Sequence, residues 1–164
     1  MTEPIKYFLQ PKFNNPALLV CWESDAGQLG EKVVDYLVHE LDGKVFCEIS
    51  PVDFFPLSGV TIEKDITLFP QSTFYFIPDR DIVVFYSTIP RYEWSGFFNL
   101  VMDVALEACN ARELFTIGGM VAMGAHTAPR EAWATFNFPE IKRSLAYYQL
   151  SREMDYETPP GARP

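Results

Sequence analysis

The sequence predicts an α/β protein with a mixed, mainly parallel sheet, and three observations support this fold class. Residues 16–22 form a continuous apolar run of strand length, which is typical of a strand buried on both faces. A helical repeat follows, and a second strand pattern over residues 44–50 completes a strand–helix–strand unit with parallel strands. The apolar side chains of the helix recur every four residues: Leu29, Val33, Leu37 and Leu41. Residues 73–77 and 82–87 are two more strands, and the P-D-R-D sequence between them indicates a hairpin.

The composition describes an acidic chain that is rich in apolar residues. With 164 residues, 48% of them apolar, it is long enough to fold as one domain without disulfides or a metal, and wholesale disorder is excluded. Its 13 Lys and Arg against 22 Asp and Glu give a formal net charge of −9. That charge argues against nucleic acid as a partner, because phosphates require clustered cations. No unbroken apolar run approaches the ~20 residues of a membrane span.

The cysteines and the N-terminus predict a cytoplasmic protein. Residues 1–6 lack the basic and apolar regions of a secretory signal. The three cysteines, Cys21, Cys47 and Cys109, include no C-x-x-C pair, so we expect three buried thiols in a reducing compartment. No histidine pair, cysteine pair or calcium-loop pattern indicates a metal, and nothing in the sequence indicates a cofactor.

The second half of the chain predicts further elements of the same fold. A helix is expected to open near Pro90, and residues 113–117 and 132–136 are strand-like. The N-F-P-E sequence at 137–140 indicates a capping box that starts a last helix, which runs to about Leu150. We therefore expect a single domain over residues 1–150 and an irregular, proline-rich tail over residues 151–164.

Three loops are expected to meet where a ligand would bind. In open α/β sheets that place is the edge formed by the carboxyl ends of the parallel strands. The loops are residues 23–30, 88–93 and 118–130. They contribute the candidate contact residues Glu23, Asp25, Gly27, Gly30, Arg91, Gly118, Gly119, His126, Thr127 and Arg130.

Two interpretations of the first loop stay open, and the sequence favours the structural one. Glycines between a strand and a helix can cradle a phosphate, but Asp25 stands where the first glycine of G-x-G-x-x-G belongs, and Glu23 would repel the same anion. The alternative is that Asp25 caps the helix and Gln28 bonds back to it, with Gly27 and Gly30 allowing close backbone approach. His126 is either a general base or phosphate contact, or a histidine that orders its loop.

Four segments, taken together, resemble the proteasome assembly chaperone family, of the type represented by its second chaperone subunit. They are W-x-S-D-A-G-Q-L-G followed by V-V-D-Y-L, then I-S-P-V-D-F-F, L-F-T-I-G-G and H-T-A-P-R. No single motif is specific, and their order and spacing over about residues 16–158 carry the resemblance. It implies a three-layer α/β/α sandwich of the nucleoside-phosphorylase-like kind, and self-association. Eukaryotic relatives are non-enzymatic chaperones that assemble proteasome α-rings.

The chain departs from this family in two ways. It ends in Ala162-Arg163-Pro164, without the hydrophobic–tyrosine–any-residue tail with which archaeal relatives dock on the proteasome. Family members also continue well beyond the D-Y-E-T-P-P-G stretch at 155–161. We therefore expect a sheet edge and apolar helix faces to be exposed, and an exposed edge favours pairing with another chain.

The leading hypothesis is a non-catalytic interaction module that works as a homo-oligomer and binds another protein. Its rival, from a different class, is a nucleotide- or nucleoside-binding protein or enzyme that acts at the three-loop edge. In that rival Asp25 and His126 do acid–base work, and Arg91 and Arg130 bind an anion.

Overall fold

The computed structural model describes residues 3–56, 60–121, 124–148 and 150. Residue contacts divide the chain into one unit over Met1–Val121 and another over Ala122–Pro164. The single domain predicted over residues 1–150 stays a prediction. The tail predicted over residues 151–164 lies outside the described residues.

The first unit contains the strands and the two longer helices. The strands are β1 (Ile5–Tyr7), β2 (Ala17–Trp22), β3 (Lys44–Ile49), β4 (Thr61–Glu63), β5 (Ile66–Leu68), β6 (Ser72–Ile77), β7 (Ile82–Ser87) and β8 (Glu113–Ile117). The helices are α1 (Leu29–Glu40) and α2 (Trp94–Asp103), and α2 continues as a π-helical turn over Val104–Ala108. Within the part of the chain described here, no helix is long and apolar enough to cross a membrane.

Six strands form one mixed sheet in the order β1-β3-β6-β7-β2-β8. Strand β2 pairs in parallel with β7 and β8, and the remaining three pairings are antiparallel. The predicted hairpin is β6–β7, and it lies between β3 and β2, so these two strands point the same way without touching. Four of the six strands share one direction, which confirms the mixed α/β sheet, although only two of its five pairings are parallel.

The two helices cover opposite faces of the sheet, because side chains alternate between the faces along each strand. On one face Leu18 and Val20 of β2 pack with the buried stripe of α2, which includes Phe97 and Val101. On the other face Cys21 of β2 packs with α1. This arrangement is the three-layer α/β/α sandwich that the family resemblance implies.

The second helix begins four residues later than predicted, at Trp94 instead of near Pro90. The backbone amides of Arg91 and Tyr92 both donate to the carbonyl of Phe54, at 2.9 and 3.2 Å. Glu93 then has a left-handed backbone, with φ 46°. These tertiary hydrogen bonds hold the segment after Pro90 in a turn, so the helix cannot start there.

In the second unit, two sequence predictions are wrong. Residues 132–136 form no strand, because a strand needs a neighbour for its backbone hydrogen bonds and the described residues of this unit supply none. The last helix, α3 (Pro139–Ser144), has Pro139 in its first turn but is capped by Phe138 without a side-chain hydrogen bond, so the capping box is absent.

Helix α3 also ends well before Leu150, and its hydrogen bonds give the reason. Beyond Ser144 the backbone amides of Ala146 and Tyr148 bond to the carbonyls three residues back, at 3.3 and 3.0 Å. The chain therefore continues in tighter turns instead of an α-helix.

Candidate functional site

The carboxyl ends of three parallel strands meet at one edge of the sheet. The register of β2 with its neighbours places Trp22 beside Ser87 of β7, and Cys21 beside Ile117 of β8. The first two predicted loops and the start of the third therefore begin side by side, as the topology rule for open sheets predicts.

Asp25 joins the first loop to the third. Its Oδ2 accepts hydrogen bonds from the backbone amide of Gly30, at 3.1 Å, and from the backbone amide of Gly119. A third bond runs between the same loops, from the amide of Ala26 to the carbonyl of Gly119, at 3.3 Å. The other oxygen of Asp25, Oδ1, is buried and has no hydrogen-bond partner among the described residues. Asp25 is thus a structural link between the start of α1 and the end of β8.

The link depends on the unusual path of the chain before α1. Gly27 has a left-handed backbone (φ 76°) within a single 3₁₀ turn, and Gln28 has one as well (φ 56°). This path lets the Asp25 carboxylate reach an amide five residues further on. Gln28 does not bond back through its side chain as the sequence analysis expected; its backbone amide donates to the Asp25 carbonyl at 3.2 Å.

Two glycines at this edge are required by packing. A Cβ on Gly30 would lie 2.9 Å from the carbonyl oxygen of Trp22, so α1 begins directly against the end of β2. A Cβ on Gly119 would overlap the carbonyl oxygen of Ala26. Their small size therefore lets the backbones of adjacent loops approach each other, and the carboxylate of Asp25 already occupies the amides that a phosphate would need.

Glu23 joins the first loop to the second. Its Oε2 accepts a hydrogen bond from the hydroxyl of Thr88 at 2.5 Å, and its amide donates to the carbonyl of Ser87 at 3.0 Å. Behind it, the buried hydroxyl of Ser87 donates to the Thr88 carbonyl at 2.7 Å and accepts from the buried hydroxyl of Ser72 at 2.9 Å. Glu23 therefore holds two loops together and is more than a solvated neighbour of Asp25.

The remaining candidate residues are not drawn into this network. Arg91 is exposed, and Gly118 lies beside Asp25. His126, Thr127 and Arg130 belong to the second unit, where all three are exposed. Their meeting with the other two loops stays a prediction.

Sequence reasoning missed an aromatic group at the same edge. Trp94 and Phe98, one turn apart on α2, stack with their ring centroids 5.4 Å apart. Trp22 at the end of β2 lies 6.4 Å from the first ring and 6.0 Å from the second. Their i, i+4 spacing on a predicted helix indicates that Trp94 and Phe98 share one face. The same pattern is typical of ordinary core positions, so it does not single out this aromatic group.

The three cysteines are buried free thiols, as the sequence predicted. Burial, reinforced by the nearby charge of Asp25, raises the pKa of Cys21 to about 11. Burial also raises the pKa of Cys109 to about 12, and that of Cys47 still further. A nucleophilic cysteine needs a lowered pKa, so these thiols are structural. Within the residues that the structure describes, no three His, Cys, Asp or Glu side chains gather as metal ligands would.

Comparison with known proteins identifies the family. The sequence model of the PAC2 family matches residues 24–163. The chain belongs to the PAC2 family. This match confirms the resemblance read from the four motifs, three of which lie wholly within the matched range. No curated protein matches the sequence.

Solved structures similar to this PAC2-family chain come from bacteria and an archaeon. A Corynebacterium glutamicum protein of unknown function superposes with a TM-score of 0.74 at 17% identity, over 94% of this chain and 62% of that one. A Mycobacterium tuberculosis proteasome-assembly chaperone homologue gives 0.67 at 20% identity, over 87% and 64%. A Pyrococcus furiosus homologue of proteasome-assembly chaperone gives 0.63 at 17% identity, over 94% and 63%. They share the fold, and this chain spans about three-fifths of their length.

Proposed function

We propose that this PAC2-family chain is a non-catalytic assembly chaperone that works in the cytoplasm as a homo-oligomer and binds another protein. Two structures that share its fold are described as proteasome-assembly chaperone homologues. The observation that carries the proposal is the exposure of large apolar side chains at two separate places in the first unit.

These exposed side chains lie on regular elements, not on scattered loop tips. The edge strand β8 exposes Leu114 and Phe115, and the hairpin β4–β5 exposes Ile62 and Ile66. Each element exposes apolar side chains on both of its faces, and an edge strand of this kind is a place where another chain can pair. The aromatic content of 15% suits such contacts.

The three-loop edge supports this reading and gives no support to the rival. Its backbone amides from Gly30 and Gly119 bond to Asp25, and Glu23 bonds to Thr88, so the polar groups of the edge satisfy one another. A nucleotide phosphate would have to displace a carboxylate and overcome the repulsion of two acids. The polar groups of the edge therefore serve to hold its loops together.

Sizing chromatography with light scattering, over a concentration series, tests self-association. We expect a mass that is a multiple of the 18.8 kDa chain. A monomer at the highest concentration reached would contradict the homo-oligomer. Binding of purified proteasome α-subunits, measured by titration calorimetry, tests the chaperone role, and no heat of binding would contradict it.

A thermal-shift series with nucleosides, nucleotides and inorganic phosphate tests the rival. We expect none of them to raise the melting temperature of the protein. Stabilisation by a nucleotide, lost in Arg91→Ala or Arg130→Ala, would replace the chaperone proposal with a ligand-binding function.

A further inference from the structure

A cleft lies between the segment that follows β1 and the end of α2, at the opposite end of the sheet from the three-loop edge. Its volume is about 320 Å³, within the roughly 300–1,000 Å³ that ligand sites occupy. The described residues that line it carry no charge, and three of them are aromatic: Tyr7, Phe13 and Phe46, together with Leu9, Gln10 and Ala108. We call the space between these six residues the β1–α2 cleft.

An irregularity of β3 forms one wall of the β1–α2 cleft. The register between β3 and β6 shifts by one residue and leaves Phe46 as the extra residue of a β-bulge. Phe46 and Cys47 therefore both pack in the core beneath α2, although neighbours in a regular strand face opposite sides. The carbonyl of Phe46 accepts hydrogen bonds from the amides of Phe8 and Leu9, at 2.8 and 3.2 Å. The bulge thus turns an aromatic ring toward the cleft and holds the N-terminal segment beside it.

An irregularity of α2 forms the other wall. The helix ends in the π-helical turn Val104–Ala108, and the amide of Cys109 donates to the carbonyl of Val104, five residues back, at 3.0 Å. Single π-helical turns are rare and occur frequently at functional sites. Ala108, the last residue of the turn, lines the cleft with a side chain that is too small to fill it. Two departures from regular backbone therefore border the same space.

The surroundings of the cleft are acidic. Asp103 and Glu107 are four residues apart at the end of α2, and both are exposed. Burial raises the pKa of the Tyr7 hydroxyl, and the nearby groups that raise it further are Cys47, Cys109, Glu107 and Asp103. Both carboxylates are thus within electrostatic reach of an aromatic wall of the cleft. The carboxyl end of a helix also carries partial negative charge from its backbone dipole, so a positive charge is favoured there.

The two lysines of the N-terminal segment do not line the cleft. Lys6 pairs with Glu48 in the register, next to Tyr7 and therefore on the other face of the strand, and its Nζ lies 4.8 Å from the centroid of the Phe8 ring. Lys12 lines a separate groove beside the β6–β7 turn. The acidic character of the cleft is therefore not offset by these two side chains.

Aromatic rings combined with nearby carboxylates are the chemistry that recognises an organic ammonium group, because the face of a ring attracts a cation. We propose that the β1–α2 cleft binds a small organic ammonium ion of the choline type, with its alkyl groups against Tyr7, Phe13 and Phe46 and its charge toward Asp103 and Glu107. A bare metal ion does not suit these walls, which offer rings and alkyl groups instead of ligand oxygens. The inference goes beyond the proposed chaperone role and does not depend on self-association.

An NMR titration of the full chain with choline locates the site. A small ligand with few contacts binds weakly, so the titration should extend to about 50 mM. We expect saturable shifts of backbone amide signals that are confined to residues 7–13 and 103–109. Shifts that do not saturate, or that centre on another part of the chain, would overturn the inference.

The role of the positive charge is tested with the neutral alcohol in which a carbon atom replaces the choline nitrogen. The two molecules have nearly the same shape, so apolar packing is the same for both. We expect the alcohol to bind at least about tenfold more weakly, since it forms neither cation–π nor carboxylate contacts. Equal affinity for both molecules would show that the cleft is an apolar pocket without a preference for ammonium.

The role of the two acids is tested with Asp103→Asn combined with Glu107→Gln. We expect choline to bind about tenfold more weakly to this variant. Asp35→Asn combined with Glu40→Gln, at exposed positions on α1, changes the net charge equally and is the matched control. The control should bind like the wild type. An equal loss in both double variants would mean that only the overall charge of the protein attracts the ligand, and would contradict a site at the cleft.

The position of the site is tested with Ala108→Leu, which places a larger side chain in the cleft. Ala108 is exposed and leucine is a good helix former, so the variant should melt close to the wild type. We expect the choline-induced shifts to disappear. A variant that melts like the wild type and still binds choline with unchanged affinity would place the ligand elsewhere and overturn the inference.

Discussion

Strands β7 and β8 lie on the two sides of β2 and pair with it in the same parallel sense, yet their surroundings differ. In β7, Val83, Val84 and Phe85 are fully buried, whereas in β8 both Leu114 and Phe115 are exposed. β7 (I-V-V-F-Y-S) is the more apolar of the two, but β8 (E-L-F-T-I) also carries a leucine and a phenylalanine of the kind that cores bury. β7 has a strand on each side and a helix over each face, and β8 is the last strand of the described sheet. Position in the strand order, more than apolar content, sets burial.

The largest loss of stability is expected for a substitution at the centre of the sheet. Phe85→Ala removes a ring that contacts Trp22, Phe74 and Phe97 and leaves a cavity. The loss should be about 3–5 kcal/mol of unfolding free energy, which lowers the melting temperature by roughly 10 °C. Urea and thermal unfolding measure it. A loss below about 1 kcal/mol would mean that β7 is no better packed than β8.

A second effect at the centre depends on pH. The pKa of Cys21 rises from 9.0 in the unfolded chain to about 11 in the folded protein, because the thiol on β2 is buried and close to Asp25. The folded state thus keeps a proton that the unfolded chain loses. Stability is full below pH 9 and falls as pH rises through 11, by about 3 kcal/mol from this thiol alone.

Urea midpoints at pH 8, 9.5 and 11 measure this loss. Cys21→Ala starts from a lower stability, and its urea midpoint should decline less with pH because one titrating thiol is gone. Some decline should remain, since the other two buried thiols still titrate. A midpoint that does not move with pH would contradict the burial of these thiols at the centre of the sheet.

The hydrogen bonds of Asp25, which join the end of the edge strand β8 to the start of α1, should contribute less to the free energy of unfolding. Asp25→Ala removes the carboxylate that bonds the amides of Gly30 and Gly119 and so ties the end of β8 to the start of α1. We expect a loss of about 2 kcal/mol. Faster hydrogen exchange at both amides should accompany it. Asp25→Asn keeps an acceptor oxygen and should lose less; an equal loss in both variants would show that the hydrogen bonds do not carry the effect.

The smallest loss of stability is expected for a substitution on the edge strand β8. Leu114→Ala shortens a side chain that is already half in solvent, so the isolated monomer should lose less than about 1 kcal/mol. Chemical unfolding at low protein concentration, where self-association is dissociated, measures it. A loss that approaches that of Phe85→Ala would mean that β8 is covered in solution and would remove the contrast between the two strands.

Local patterns predicted the central elements well. The apolar run of β2, the four-residue repeat of α1 and the turn sequence of the β6–β7 hairpin each lie within one short segment. Their physical cause, side-chain periodicity against a buried surface, is visible without knowing the neighbours. The prediction was wrong where a distant group decides: Phe54 holds the turn after Pro90, and residues 132–136 have no neighbouring strand among the residues that the structure describes.

In the candidate site, too, the local contact was predictable from the sequence and the long-range contacts were not. The sequence indicated that Asp25 serves the start of α1, because the cap and the helix are neighbours in the chain. It did not reveal the bond to Gly119, which is 94 residues away, or the bond from Thr88 to Glu23, which spans 65. The order of strands alone brings these loops together.

By itself the sequence determined the family, the α/β class and the main strands and helices, since these follow from motifs and from periodicities of two and 3.6 residues. The tertiary structure decided the strand order, and with it which apolar residues are buried. That order places the β6–β7 hairpin between β3 and β2 and leaves β8 at one edge and the β4–β5 hairpin outside the six-stranded sheet. Burial depends on neighbours that are distant in the chain, so no local pattern could distinguish the buried Phe85 from the exposed Phe115.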